Sequence, residues 1–439
     1  MANRPVERVI DFTDPALQRT PGLSPEEARA RLASGDPEAV LSIPGSFALV
    51  ARDGSTVRMA RSLDRPMRYF LAKQSDGPML VVAERIDEIH AFLKAEELDG
   101  QFHPSYTRMV PAHHVVEIRL LGCPDPDATY VRFLEPLASD SEDLSEIGRR
   151  YVGALADEIA LWLTSLPPAE PIGVCFSGGI DSGAVFLTTH HVLQRLGIPA
   201  TRLKVFTLAV RGGGGEDLPQ ARRFLEALGL GLFLEPIEVP EDWIDPLGAV
   251  GVVEDYKPLD VESAAAALAL LRGIRARYPD WRHLVDGDGG DENLKDYPIE
   301  ENPELTIRSV VSNPLLYQEG WGVGTLKHSR TYSGGQSRAC TRTCAPARRY
   351  GFEGFSPFTR PAVVRIAAGL PFARLAGGDV ARLYALKGEI VGRGIRALTG
   401  LSMPIFPKRR FQHGARGGRS FPLGEPEYRR HFQSLYPER

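Results

Sequence analysis

Residues 172–183, Ile-Gly-Val-Cys-Phe-Ser-Gly-Gly-Ile-Asp-Ser-Gly, constrain the fold more than any other stretch of the chain. The apolar run 172–176 reads as a buried strand, the two glycines as a tight turn, and residues 183–196 as a helix. A strand that passes through a glycine turn into a helix starts a parallel sheet, because parallel neighbours need a crossover between them. The alternation continues with a strand at 203–210, a Gly-rich loop at 212–215, a helix at 219–228, a strand at 232–237, a helix at 261–277 and a strand at 283–285. A helix at 144–166 precedes the series. A helical tail with Pro and Gly breaks follows from about 315 and ends in basic residues. The expected class is α/β, a doubly wound parallel sheet covered on both faces.

The same turn suggests chemistry. Between a strand and a helix, backbone N–H groups and the helix N-terminus converge on one point and make an anion cradle. Ser177 and Ser182 add hydroxyl donors, and Gly178 and Gly179 let the backbone approach a phosphate with no Cβ in the way. Asp181 alone would repel phosphates, so its presence calls for a bridging cation, with Mg²⁺ the natural choice. The loop lacks the lysine of G-x-x-x-x-G-K-[ST], which speaks against γ-phosphoryl transfer. An ordinary turn of small residues is the plainer alternative. Only eight of the 52 basic residues are lysines, so each lysine carries information.

Composition narrows the partners. A net charge of −4 gives no electrostatic basis for a nucleic-acid partner. No apolar run reaches membrane-spanning length and no apolar signal region opens the chain, so no membrane partner and a cytoplasmic location are expected. Four cysteines are too few for a disulfide framework, and the pair Cys340 and Cys344 lacks a second Cys/His pair to complete a metal site. The front of the chain reads as β-rich, with strands at 46–52, 56–60, 79–83, 114–120 and 130–133, a hairpin at Asp53-Gly54, and short helices at 26–32 and 86–92. His113 and His114 would point to opposite faces of a strand, which disfavours a metal pair. The acidic stretch at 139–143 marks a boundary, giving domains 1–140 and 141–439.

Residues 177–182 resemble the pyrophosphate loop of the ATP-pyrophosphatase superfamily, whose fold is adenine nucleotide α-hydrolase-like. Asparagine synthetases, β-lactam synthetases, argininosuccinate synthetases and several tRNA-modifying enzymes share it. A second string, Val285-Asp-Gly-Asp-Gly-Gly-Asp-Glu-Asn-Leu running to Asp296-Tyr297-Pro298, is similar to the asparagine-synthetase signature S-G-E-G-x-D-E-L-F-x-G-Y. By itself it is a strand end opening into carboxylates alternating with glycines, which suits a metal or a cationic group. The resemblance implies that Asp291 is a second Mg²⁺ ligand beside Asp181 and that Gly287 lies at the nucleotide. Asp288 stands where asparagine synthetases carry Glu and β-lactam synthetases carry Tyr, a position tied to the acceptor substrate. Asn293-Leu-Lys-Asp replaces the usual L-F-x-G.

Residues 406–415 resemble the late K-x-x-F-x-x-G segment of the same branch, which makes Lys408 the lysine that stabilises the adenylation transition state. Lys387 lies in a segment loosely similar to K-x-x-L-R and is assigned to nucleotide binding. Residues 342–358 resemble the R-x-x-x-A…G-x-E-x-R-x-P-F-L-D region, with Phe355 where Arg is common. Residues 206–222 resemble the adenine-flanking strand and loop, which assigns main-chain groups from Leu208 to Val210 to the base. The resemblance spans roughly 145–415.

The first 140 residues resemble the second half of a glutaminase domain, an α+β fold of the Ntn-hydrolase type, in a truncated and degenerate form. Position 2 is Ala2, where a working glutaminase carries the nucleophilic cysteine. The implied cofactors are ATP and Mg²⁺. The implied activity is an amide-forming ligase that adenylates a carboxylate, releases pyrophosphate, and passes the acyl group to a nitrogen not drawn from glutamine. Specialised-metabolite or peptide biosynthesis is the expected setting. The partners are a small-molecule or peptide carboxylate and an amine or ammonia acceptor; a homodimer stays an open option. Asp288, Glu292 and Glu353 are the candidate bases. The alternatives are an intramolecular cyclase of the β-lactam or lasso-peptide kind, a tRNA-modifying ATP pyrophosphatase, and a non-catalytic homologue.

Overall fold

The computed structural model describes residues 8–74, 78–119, 128–212, 215–314, 316–319, 335–407 and 421–437. The chain divides into two compact units, one built mainly on residues up to Glu135, the other mainly on Pro136–Gln318 and Arg338–His431. No helix among the described residues is long and apolar enough to cross a membrane.

The first unit contains two four-stranded sheets. One is antiparallel throughout and runs Ala48–Asp53, Thr56–Arg61, His114–Arg119, Ala128–Arg132. Its first hairpin turns at Asp53-Gly54, as the dipeptide predicts, with Asp53 opposite Thr56. The other runs Arg8–Asp11, Met79–Ala83, Arg68–Ala72, Arg108–Met109 and is parallel only at its first pair. Val50, Met59 and Val116 from one sheet join Tyr69, Leu80 and Val82 from the other in one core, so the sheets stack face to face. Sequence patterning missed the strand Arg68–Ala72. It begins on an arginine that is fully buried, and arginine by type reads as surface.

The second unit holds a five-stranded sheet in the order Leu234–Val239, Leu203–Val210, Ile172–Cys175, His283–Val285, Glu353–Phe355, every neighbouring pair parallel. The expected α/β class is observed. The strand met first in the sequence lies at the centre. The chain builds outward from it on one side, then returns and builds on the other, so the winding reverses between Ile172–Cys175 and His283–Val285. The loops leaving the carboxyl ends of those two strands open the crevice where sheets of this kind bind ligands.

Two long helices close one face of this unit. Leu144–Ser165 and Val380–Thr399 pack closely because Gly148 and Gly394 meet at the crossing; a Cβ on Gly394 would lie 2.3 Å from the Gly148 carbonyl oxygen. Val380–Thr399 buries Leu383, Leu386, Lys387, Ile390, Val391 and Gly394, a stripe at helical spacing with one lysine in it. That stripe carries Lys387 inward.

Candidate active site

The nucleotide loop is shaped by where its helix starts. The helix is Ile180–Arg195, three residues earlier than the pattern indicates, so Asp181 and Ser182 sit in its first turn. A carboxylate there is favoured by the helix dipole and by unpaired N–H groups. The loop closes on its own hydroxyls. Ser177 N–H donates to Ser182 Oγ at 3.3 Å, Gly179 N–H donates to Ser177 Oγ at 3.4 Å, and the two hydroxyls lie 3.3 Å apart. Gln220, from the helix Asp217–Ala227, donates to the Ser177 carbonyl at 3.3 Å and holds the loop from outside.

Leu208 and Val210 lie beside this loop. Phe176 N–H donates to the Phe206 carbonyl at 2.9 Å, while Arg211 N–H donates outward to Val239 at 2.9 Å. Ladder groups alternate in direction along a parallel strand. The main-chain N–H and C=O of Leu208 and Val210 therefore face the central strand's side, where the chain has already turned away into the loop. This edge can pair with the rim of a planar base.

The acidic loop comes down directly onto the nucleotide loop. An ideal Cβ on Gly287 would lie 2.9 Å from both Asp181 Cβ and the Ser182 nitrogen, and one on Gly290 would lie 2.2 Å from Asp181 Oδ1. Only glycine permits this approach, which brings Asp291 to Asp181. Between them stands the Lys387 ammonium, 2 % exposed. Its Nζ lies 2.5 Å from Asp181 Oδ2, contacts Asp291 Oδ1, and is 3.4 Å from Asp296 Oδ2. Burial by itself would lower the lysine's pKa; Asp181, Asp291 and Asp296 outweigh it and hold the ammonium well above its usual range.

This arrangement is a test of the implied Mg²⁺. The Asp181 and Asp291 carboxylates face one point that a cation, the ammonium, already marks. Among the described residues no three acidic, His or Cys side chains converge as a ready-made cage. Two carboxylates completed by phosphate oxygens and water is the usual Mg²⁺ arrangement in nucleotide sites. The residues fit the ion.

Next to this point lies a second cluster. Asp286 is buried; its Oδ1 accepts from Ser356 Oγ at 2.7 Å and from Asp288 N–H at 3.0 Å. Asp288 Oδ2 accepts from Thr343 Oγ1 at 2.7 Å. Burial, reinforced by the Asp286 carboxylate, holds the Asp288 pKa well above the carboxylate range; burial raises Asp286 too, against hydrogen bonds from Ser356 and Asp288. Arg342 reaches Glu292 at 3.2 Å and Asp260 at 3.6 Å, and the Tyr297 hydroxyl donates to the same Glu292 oxygen. Cys175, at the end of the central strand, is pushed up by burial and by Asp286 and Asp288, so it stays a thiol at neutral pH.

Glu353 stays apart. It opens the strand Glu353–Phe355 in register with His283, pairs with Arg282 at 3.1 Å and lies 3.6 Å from His283 Nδ1. Those residues begin their strands, so Glu353 lies at the amino ends of the sheet while the two loops leave the carboxyl ends. The structure does not bring it together with Asp288 and Glu292. Lys408 lies outside the described residues. Asp286, Asp296, Thr343 and Ser356 join the site without having been assigned to it. Asp286 and Asp296 left a trace in the sequence, as acids where the resembled signature has serine and glycine.

Residues 166–343 match the family model for asparagine synthase. They form an asparagine-synthetase-like domain. A domain of this kind is that of an amide-forming, ATP-pyrophosphatase-type ligase. The match takes in the nucleotide loop, the acidic loop and Arg342; Ser356 and Lys387 lie beyond it and reach the asparagine-synthetase-like domain through the fold. No curated protein matches the chain.

Proposed function

We propose that this chain is an ATP-dependent ligase that adenylates a substrate carboxylate, releases pyrophosphate, and transfers the acyl group to an amine or ammonia that does not come from glutamine. The observation that carries this reading is the meeting of Asp181 and Asp291, from the first turns of two helices at the switch point, around the buried Lys387 beside the serine-glycine loop. Serine hydroxyls, helix N–H groups and an ammonium together suit a polyphosphate, and the edge at Leu208 and Val210 suits adenine. Mg²⁺ bound at Asp181 and Asp291 would supply the positive charge that lets a pyrophosphate group leave.

A neighbouring acidic cluster supports a reading of the second half of the reaction as well. Asp260, Asp286, Asp288 and Glu292 gather next to the phosphate end, an acidic environment that favours a cationic amine. An ammonium must lose a proton before it attacks an acyl carbon. Glu292 is engaged by Arg342 and Tyr297, while Asp288 accepts from a single threonine hydroxyl and has a raised proton affinity. Asp288 is therefore the base, and Asp286 sets its proton affinity.

Incubation with ATP, Mg²⁺, candidate carboxylates and an amine or ammonia tests this. AMP and pyrophosphate in equal amounts are expected, with no glutamate formed from added glutamine. Release of ADP and phosphate would refute the adenylation reading, and glutamate formation would refute the nitrogen source.

A further inference from the structure

The short helix that carries Asp291, Gly290–Asn293, ends in a distinctive way. Asp296 N–H donates to the Asp291 carbonyl at 3.0 Å, the six-to-one bond of a Schellman turn. The left-handed position of that turn is Lys295, with φ +58°. A residue with a Cβ costs about 1–2 kcal/mol there. Lys295 is held in place by its own side chain. Its buried ammonium donates to the carbonyls of Val310 at 2.8 Å and Asn313 at 3.3 Å and lies 5.5 Å and 5.2 Å from the rings of Tyr317 and Phe372. The consequence is that Asp296 folds back beside Asp291, nine-tenths buried, within 3.4 Å of Lys387.

Lys387 and a divalent cation compete for the same oxygens. The ammonium contacts Asp181 and Asp291, the two carboxylates that fit Mg²⁺. Two cations a few ångströms apart in a buried site repel strongly. Once Asp181 and Asp291 turn to the metal, the ammonium needs another anion, and Asp296 is the third it already touches. Phosphates held by the serine-glycine loop would lie beside Asp181, which the ammonium also touches, so an ammonium anchored on Asp296 would remain near them.

We propose that Asp296 is a positioning residue that receives the Lys387 ammonium when Asp181 and Asp291 take up Mg²⁺ with the nucleotide. It rests on the function proposed above, and a binding experiment separates the two. The probe is Mg²⁺ with α,β-methylene-ATP, which cannot be cleaved at the bond in question, titrated calorimetrically into the full chain. Asp296→Asn should weaken binding about tenfold, and Asp296→Glu should recover most of the loss. In a Lys387→Met background, Asp296→Asn should change affinity less than about twofold, because the partner through which Asp296 acts is gone. Equal losses in both backgrounds would make Asp296 a metal ligand and overturn the assignment; no loss in the single variant would also overturn it. Should Lys387→Met fail to fold, the Mg²⁺ dependence of Asp296→Asn decides. A metal ligand's deficit vanishes at saturating Mg²⁺, whereas the deficit of a displaced ammonium persists. Lack of analogue binding by the wild-type chain would overturn the nucleotide reading itself.

Discussion

Alanine at Gly290 would place one methyl group at the most crowded point of the site. An ideal Cβ there lies 2.2 Å from Asp181 Oδ1 and 2.5 Å from its Cγ. Non-bonded carbon contacts settle near 3.5 Å, so the carboxylate must move by about 1 Å. It is the tip of a side chain and can rotate at a cost of about 0.5–1.5 kcal/mol. Replacing glycine in a helix returns about 0.5–1 kcal/mol. Stability should therefore stay within about 1 kcal/mol, a melting shift of no more than about 4 °C for a unit of this size. Chemistry should not survive as well. The rotation breaks the 2.5 Å contact between Asp181 and Lys387, and about 1 Å of misplacement at a reacting site costs about 100-fold in rate. Gly287→Ala makes the contrast. Its Cβ would lie 2.9 Å from the Ser182 nitrogen and Asp181 Cβ, and backbone cannot rotate aside. Overpacking of that sort costs about 1–3 kcal/mol, so Gly287→Ala should lose both stability and activity. Scanning calorimetry and pyrophosphate release measure the two quantities. Wild-type pyrophosphate release by Gly290→Ala would refute the close approach of the loops, as would parallel losses in both variants.

Two further outcomes are expected. Lys408→Ala should abolish pyrophosphate release while calorimetry still detects binding of ATP with Mg²⁺; normal turnover would remove Lys408 from the reaction. Burial lowers the Lys295 pKa to about 8, against about 10.4 for an unfolded lysine. Between those values the unfolded chain binds more protons, so this residue makes stability rise as pH climbs from about 8 to about 10. Lys295→Met should flatten that rise in denaturant midpoints measured across the window; an unchanged slope would show that Lys295 is not buried as a cation.

Much of the geometry of the serine-glycine loop was legible because it is local. Ser177 to Ser182 occupy one turn, and a strand, two glycines and a helix state the geometry in consecutive residues. The strand Leu203–Val210 and the strand His283–Val285 were read with the boundaries they have. The strand Glu353–Phe355 was not. Three residues with a central glycine have no period to detect, and only pairing with His283–Val285 makes them a strand. The place of Glu353 was hidden for the same reason: without knowing that it opens a strand, nothing indicated which end of the sheet it occupies.

Asp296 shows a different limit. It was visible as a departure, an acid in place of glycine, but its direction depends on Lys295 adopting a left-handed conformation. That conformation in turn depends on Val310, Asn313, Tyr317 and Phe372, residues distant in sequence whose only common property is to surround one ammonium. Lys387 behaves likewise. Its spacing places it on the buried face of its helix, where a lysine is unfavourable unless anions meet it, and the anions come from the first turns of two helices and from the turn that ends the second. The site is thus specified by charges that are each costly alone and compatible only together. Removing one member should unsettle the others more than its own contacts suggest, which is why paired substitutions, rather than single ones, test how this site is held.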